Sequence, residues 1–193
     1  YVYGDTNWPD LLTAYDGKAI TYDENGNRLT YDGWTYEWEG GRQFKQMSKG
    51  EDTYSYKYDD NGIRQSKTAN GVTTAYTTID GKITSQTDGT NTLYFRYDSD
   101  DKLFGFNLNG TEYLYVRNLQ GDIIAVTDLN GTVVAEYTYD AWGKVLSVTG
   151  SMADTVGRLN PMRYRGYYYD SETGYYYLQS RYYDPEIGRF INA

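Results

Sequence analysis

Cysteine and histidine are both absent from the 193 residues. Without cysteine there is neither a disulfide framework nor a thiolate metal site, and the redox compartment stays undetermined. Without histidine, Ser-His-Asp triads, Cys-His pairs and imidazole-metal centres are excluded. Proline occurs only three times. No apolar run approaches the roughly 20 residues of a membrane-spanning helix. No stretch of roughly ten residues carries a helical period. Positive charge is short too: 18 Lys and Arg stand against 27 Asp and Glu, for a net charge of −9. An acidic chain without a basic stripe offers no nucleic-acid surface. Leu, Ile, Val and Phe together stay below about a fifth of the chain, a level that signals disorder when net charge is high.

Tyrosine fills that gap, with 25 Tyr beside 4 Trp and 5 Phe. Each aromatic buries roughly 150–250 Å², so tyrosine can build the core that aliphatics do not. Its hydroxyls need partners, which suits a thin sheet or a hollow shell better than a dry sandwich. Nine of the 21 glycines directly follow Asn or Asp: Gly17, Gly26, Gly33, Gly62, Gly71, Gly81, Gly89, Gly110 and Gly131. Asx-Gly is the strongest short hairpin signal, because both residues accept positive φ in a type I′ turn. With the remaining glycines this gives a turn about every 7–12 residues, the spacing of an all-β meander. Between turns the chain alternates. Thr53-Tyr54-Ser55-Tyr56-Lys57-Tyr58 places three tyrosines on one face. Thr35 to Trp38, Tyr113 to Arg117 and Glu136 to Asp140 do the same.

The strands repeat at a higher level. Tyr22-Asp23-Glu24-Asn25-Gly26-Asn27-Arg28 recurs as Tyr58-Asp59-Asp60-Asn61-Gly62-Ile63-Arg64. Looser copies begin at Tyr97 and Tyr139, so the leading tyrosines lie about 36–42 residues apart. One such unit cannot bury its aromatic face alone and stacks on adjacent repeats. Residues 1–150 read as these repeats. Residues 151–163 break the rhythm and read as a loop or short helical turn. Residues 164–193 hold the densest motif, in which Tyr167–Tyr169 and Tyr175–Tyr177 flank a polar loop as in a β-hairpin.

These residues carry a resemblance. The Tyr-Asp-x-x-Gly-x-Arg units (Tyr22, Asp23, Gly26, Arg28; Tyr58, Asp59, Gly62, Arg64) resemble YD repeats. Asn160 to Phe190 is similar to the core that ends the repeat region of Rhs (rearrangement hotspot) and wall-associated polymorphic toxins. The resemblance implies an all-β meander of hairpins, part of a sheet that spirals into a hollow shell, with the terminal core sealing one end. It implies a non-enzymatic structural module of a secreted or cell-surface bacterial protein. The shell would enclose a C-terminal toxin or effector domain of the same polypeptide, beyond Ala193. The opening on Tyr1 rather than Met reads as a piece of a longer protein. Many members of that family cut themselves just after the core, using aspartates in a second Asp-Pro segment. The chain ends at Ala193, before such a segment. Arg165, Gly166, Tyr169, Asp170, Gly174, Tyr177, Arg181, Tyr182, Tyr183, Asp184, Pro185, Gly188, Arg189 and Phe190 therefore carry over as a structural motif, with no catalytic, cofactor-binding or metal residue. Teneurin adhesion receptors share the shell, which keeps open a cell-surface adhesion or carbohydrate-binding module. A third reading is part of an aspartyl self-cleaving core.

Individual residues offer few alternatives. Asp170 and Glu172 form a carboxylate pair, yet both fall in a predicted hairpin loop, where acids are solvated. Asp184-Pro185 reads as a strand end, since proline cannot donate to a ladder. Arg181 and Arg189 either fork onto Asp184 or Asp170 or cover tyrosine rings. Asp59, Asp60 and Asn61, like Asp98, Asp100 and Asp101, resemble half of a calcium loop, but the full ligand spacing is not met. The sequons at Asn109 and Asn130 coincide with Asn-Gly turns. Gly33-Trp34-Thr35-Tyr36 suggests a glycan-stacking aromatic, though the tryptophans are not periodic. Exposed strand edges invite pairing, so either edge-to-edge association or coverage of an edge by the tail is expected.

Overall fold

The computed structural model describes residues 1–192. Fifteen antiparallel strands follow one another as neighbours in chain order. They are β1 (Ala14–Tyr15), β2 (Lys18–Tyr22), β3 (Arg28–Tyr31), β4 (Trp34–Glu39), β5 (Gln43–Lys49), β6 (Asp52–Tyr58), β7 (Arg64–Ala69) and β8 (Val72–Ile79). The meander continues with β9 (Lys82–Thr87), β10 (Thr92–Tyr97), β11 (Leu103–Leu108), β12 (Thr111–Arg117), β13 (Ile123–Thr127), β14 (Val133–Tyr139) and β15 (Val145–Thr149). A short π-helical turn, Ala153–Gly157, packs Val156 and Gly157 against β14 and β15. A second sheet follows, of β16 (Tyr168–Asp170), β17 (Tyr175–Leu178), β18 (Arg181–Asp184) and β19 (Arg189–Phe190). The expected terminal hairpin is thus the first half of a four-stranded sheet.

Eight of the nine Asx-Gly signals resolve into two turns rather than one; Asp88-Gly89 lies in a shorter loop closed by Asn91. At Asp16-Gly17, Asp32-Gly33, Asn70-Gly71, Asp80-Gly81 and Asn109-Gly110 both residues have positive φ, as type I′ requires. At Gly26, Gly62 and Gly131 only the glycine does. These glycines occupy the fourth position of five-residue loops that begin at Asp23, Asp59 and Asp128. The same loop recurs at Asp98, Asn118 and Asp140. In all six, the side-chain Oδ1 of the first residue accepts the amides of the third and fifth at 2.8–3.0 Å. One carboxylate or amide oxygen therefore replaces two backbone partners that the turn cannot supply.

Each of these loops follows a one-residue register shift in the strand before it, as between Thr21 and Tyr22 or between Lys57 and Tyr58. The four leading tyrosines of the repeat stand at such bulges and turn their hydroxyls back. Tyr22 donates to Leu12 O (2.8 Å), Tyr58 to Phe44 O (2.8 Å), Tyr97 to Ile83 O (3.0 Å) and Tyr139 to Ile123 O (2.7 Å). The Tyr-Asp pair is thus one device: the aspartate builds the loop and the tyrosine ties it to the preceding strand.

In an up-and-down meander, successive connections alternate between two ends. The loops at Asp23, Asp59, Asp98, Asn118 and Asp140 share one rim, and the terminal sheet lies in it. Gln179 donates to Gly81 O, Asn192 to Arg42 O, Tyr176 to Gly143 O and Tyr183 to Trp142 O. Gly143 has a φ of 90°, and the Tyr164 ring occupies the space that a Cβ there would need. Backbone bonds stitch both ends of the small sheet to the large one. Met162 bridges Tyr168, Tyr169 N–H donates to Pro161 O, and Ile123 N–H of β13 donates to Arg163 O. On the other side Ile191 N–H donates to Tyr182 O, and Arg28 N–H of β3 donates to Ile191 O.

The large sheet is not itself closed; the terminal sheet spans it from β13 to β3. The interior of this stretch is accordingly filled with aromatic side chains rather than hollow. Nor does the tail cover an edge strand. The outer side of β1 is taken by Val2, which bridges Ala14.

If the five-residue loops depend on their first side chain, Asp59→Ala lowers urea-unfolding stability by about 1–2 kcal/mol. Asp60→Ala in the same loop, whose side chain makes no such bonds, changes it by less than about 0.5 kcal/mol.

Candidate functional site

The seat of the terminal sheet gathers the charged residues that the sequence motif contains. On β16 the side chains alternate, so Tyr168 and Asp170 face inward together. Asp170 is therefore not a solvated loop acid, as expected from the hairpin, but the last inward residue of the strand, 0% exposed. Arg64 Nη1 donates to its Oδ2 at 2.6 Å and Nη2 to Oδ1 at 3.1 Å. Lys67 Nζ donates to Asp170 Oδ1 at 2.9 Å and to Glu172 Oε2 at 3.0 Å. Glu172, also expected in solvent, is thereby held in the same cluster. Two cations face two carboxylates, and the group is neutral.

Around it stands a cage of rings. The Arg64 guanidinium carbon lies 4.2 Å from the Tyr177 centroid, 4.8 Å from Tyr168 and 4.9 Å from Tyr76, with Tyr56 and Tyr182 further out. The quadrupoles of these rings replace part of the lost hydration. Tyr177 Oη also accepts the Arg64 backbone amide at 3.0 Å. Tyr58 and Tyr182 meet at 2.7 Å; because Tyr58 already donates to Phe44 O, Tyr182 is the donor. Tyr36 meets Tyr175 at 2.7 Å, and Tyr76 donates to Tyr168 at 3.2 Å. Three tyrosine pairs thus join hydroxyl to hydroxyl between the two sheets, while Tyr56 Oη is buried without a partner.

A second anchor repeats the first. Arg28 on β3 donates to Asp184 on β18 at 2.9 Å, and both are buried. Its guanidinium lies 5.1 Å from the Tyr31 centroid and 5.6 Å from Tyr36. The two carboxyls differ in balance. Burial raises Asp170, but Arg64 and Lys67 overcome it and hold the group below its usual range. Burial also raises Asp184, and there the single bond from Arg28 and the amides of Glu186 and Ile187 do not fully offset it. Burial drives the Tyr56, Tyr76 and Tyr175 phenols well above their ordinary value, so they remain neutral.

The other motif residues take separate places. Arg181 and Arg189 fork onto neither aspartate: Arg181 lies 3.8 Å from the Phe190 ring, and Arg189 donates to Tyr3 Oη at 2.6 Å. Both inward carboxylates are already taken by repeat arginines. Tyr169 covers Tyr176 at 5.0 Å. Arg165, with φ of 56°, and Gly166 make the turn before β16, where Arg165 N–H donates to Asp122. Gly174 has φ of 76° and ends the β16–β17 loop. Pro185 follows the last residue of β18, and Gly188 closes the next turn at a φ of 69°, where a Cβ would stand 3.2 Å from the Trp142 ring. Trp34 stacks on Tyr54 at 5.5 Å beneath Lys49. Asn109 Oδ1 accepts Thr92 N–H, so that sequon residue has a turn role.

Lys67 escaped the sequence reading for a definite reason. Strict alternation from Arg64 places Lys67 outward. The bulge before Tyr58 skips Gln65, so Tyr58 pairs with Arg64 while Tyr56 pairs with Lys67, and both cations face in. Arg28 and Tyr31 share a face in the same way. Arg163 was also passed over. It is buried between Tyr137 (4.8 Å) and Tyr169 (5.0 Å) and donates to the carbonyls of Gly157 and Asn160.

The family model described as Teneurin YD-shell matches residues 10–193. The tRNA nuclease WapA of Bacillus subtilis (strain 168) is 41% identical over 96% of the chain and 8% of its own length. The tRNA3(Ser)-specific nuclease WapA of Bacillus spizizenii is 40% identical over the same shares. The chain therefore spans under a tenth of these relatives. In fold it resembles a structure of the Photorhabdus luminescens Tc holotoxin pore, with a TM-score of 0.69 and 20% identity over 89% of this chain and 9% of that one.

Removing one partner of a buried ion pair strands the other, so Asp170→Asn is expected to cost about 3–5 kcal/mol near neutral pH. The sign of the pH dependence follows from the depressed carboxyl. Its contribution is present above the ordinary carboxylate value of about 4 and is lost as pH falls through the lower folded-state value. Urea unfolding of the two proteins across that interval should show the difference shrinking in acid. A constant difference would mean that Asp170 acts by shape and not by charge.

Proposed function

The chain belongs to the teneurin YD-shell family, and on that premise we propose that it is a structural wall-and-closure module of an Rhs/YD shell. The repeats form wall, and the terminal sheet closes one mouth of it. In this reading the module performs no chemistry of its own. The nuclease activity named for the Bacillus relatives is assigned to another part of those longer polypeptides, and the shell keeps such a toxin or effector domain from acting on the producing cell. A secreted or cell-surface site in a bacterium goes with that role.

One observation carries the reading most directly: Arg28 and Arg64, both from the repeat motif, reach into the seat and hold Asp184 and Asp170 of the terminal motif. The motif arginines of the wall are thus the receptors for the motif aspartates of the closure. The consumed carboxylates also bear on the self-cleaving alternative. Asp170 is 0% and Asp184 2% exposed, and each is bonded to an arginine, so neither is offered to a substrate or to water.

The reading is tested on the longer parent polypeptide by limited proteolysis. The effector domain is expected to resist cleavage while the wall is intact. It becomes cleavable when Arg28→Met and Arg64→Met unseat the terminal sheet. Equal cleavage of the enclosed and the separately expressed effector domain would sink the proposal.

A further inference from the structure

The motif residues that the seat does not use lie together on the other side of the terminal sheet. Cross-strand partners share a face, and Tyr169, Tyr176, Tyr183 and Phe190 form one row across all four strands. Ring centroids along it are 5.0, 6.4 and 5.7 Å apart. The first two rings are covered by the chain itself. Tyr176 is fully buried, and Tyr164 and the carbonyl of Gly143 lie against it. The row then opens to solvent. Phe190 is 37% exposed and Trp142, whose carbonyl accepts the Tyr183 hydroxyl, is 57% exposed. Around the β19 edge one groove joins Phe190 and Arg189 to Trp8, itself 43% exposed, with Asp10 as its acid.

Two cations frame this band. In a chain of net charge −9, most lysines and arginines have a carboxylate within 4.0 Å. Among the described residues six have none, and of these Arg181 and Arg189 stand at this band; Arg181 lies on the Phe190 ring, and Arg189 lies over Tyr3 and donates one Nη to its hydroxyl. Stacking fixes each guanidinium plane while leaving donors open. Trp, Tyr and Arg together on a rigid element are the composition of an interface hot spot.

We infer that this band of Trp8, Trp142, Tyr183, Phe190, Arg181 and Arg189 docks an acidic, apolar polypeptide segment. Such a segment places its carboxylates on the two open guanidinium forks and its aliphatic side chains on the exposed rings. The local chemistry selects this occupant: a carboxylate is the planar partner that a guanidinium fork fits, and aliphatic side chains pack on exposed rings. A nucleic acid would also stack on aromatics, but it carries no aliphatic side chains for the rings, and its continuous row of phosphates needs more cations than the two present here. The inference does not depend on the enclosure of an effector and concerns residues outside the seat.

The test is fluorescence anisotropy with the full chain and a short labelled peptide alternating glutamate with leucine. Binding is expected that weakens with salt. It should fall roughly tenfold in Arg181→Gln/Arg189→Gln and in Trp142→Ala, with circular dichroism and urea midpoints unchanged. On the unaltered chain, a glutamine–leucine peptide and a pure glutamate peptide of equal length should both bind at least roughly tenfold more weakly, which decides the matter even where a variant does not fold. The inference is overturned by equal binding of the glutamine peptide, by salt-independent binding, or by tighter binding of a single-stranded oligonucleotide. Self-association abolished by the double variant, with no peptide binding, overturns it as well.

Discussion

The seating of the terminal sheet depends on a contact made out of reach of water: the two-pronged bond of Arg64 to Asp170. A guanidinium and a carboxylate each lose several kcal/mol of hydration on such burial, and their attraction offsets that only with good geometry and further partners. Here most of the partners are supplied, and only Arg64 Nε is left without one. Lys67 fills the second lone pair of Asp170, and Tyr177 and Tyr168 lie against the guanidinium. The pair consequently adds little net stability compared with an apolar plug, but it makes every misplacement of the terminal sheet costly. Its value is in specifying position, and Arg28 with Asp184 fixes the sheet at a second point.

Tyrosine makes this arrangement possible. A leucine core has no groups with which to face an arginine, whereas a ring offers a negative face to the cation and a hydroxyl to a neighbour. The chain uses both properties in the same residues. Tyr182 packs on Phe44 and Tyr56, lies within the Arg64 cage, and donates to Tyr58. Tyr58 in turn passes its proton donor to the Phe44 carbonyl, which links the seat to the Asp59 loop next in sequence. The repeat unit and the terminal sheet are therefore held by overlapping sets of side chains. The same sheet keeps a second aromatic row on its other face, where the cations are left without acids.

Much of this was legible from residue order. The all-β meander followed from Asx-Gly spacing, and the inward rows of Tyr54, Tyr56 and Tyr58 followed from alternation. The Tyr-Asp-x-x-Gly-x-Arg unit marked the bulged loops, although type I′ geometry was expected where a five-residue loop with a single positive φ is found at Gly26, Gly62 and Gly131. What alternation misread lies next to those bulges. Lys67 turns inward because one residue is skipped opposite Tyr58, and nothing in the local composition reports that skip. Asp170 was misread by the rule that acids near a hairpin loop are solvated. That rule describes loop positions, and Asp170 is the final inward position of a strand.

Residue order sets the strands, their turns, and which residues repeat, because those properties rest on backbone preferences and on a two-residue period within a few neighbours. It also determined that no thiol or imidazole chemistry operates in these residues. Which arginine meets which aspartate depends instead on how the two sheets pack. Arg181 lies three residues from Asp184 and Arg189 five, yet the partners are Arg28 and Arg64, more than a hundred residues away. The reason is geometric. Arg181 projects from the outer face of its strand while Asp184 projects inward, and Arg189, opposite Asp184 at the sheet edge, turns out to Tyr3. A buried carboxylate takes the cation that arrives from the opposing sheet, and no local pattern reports which residue that is.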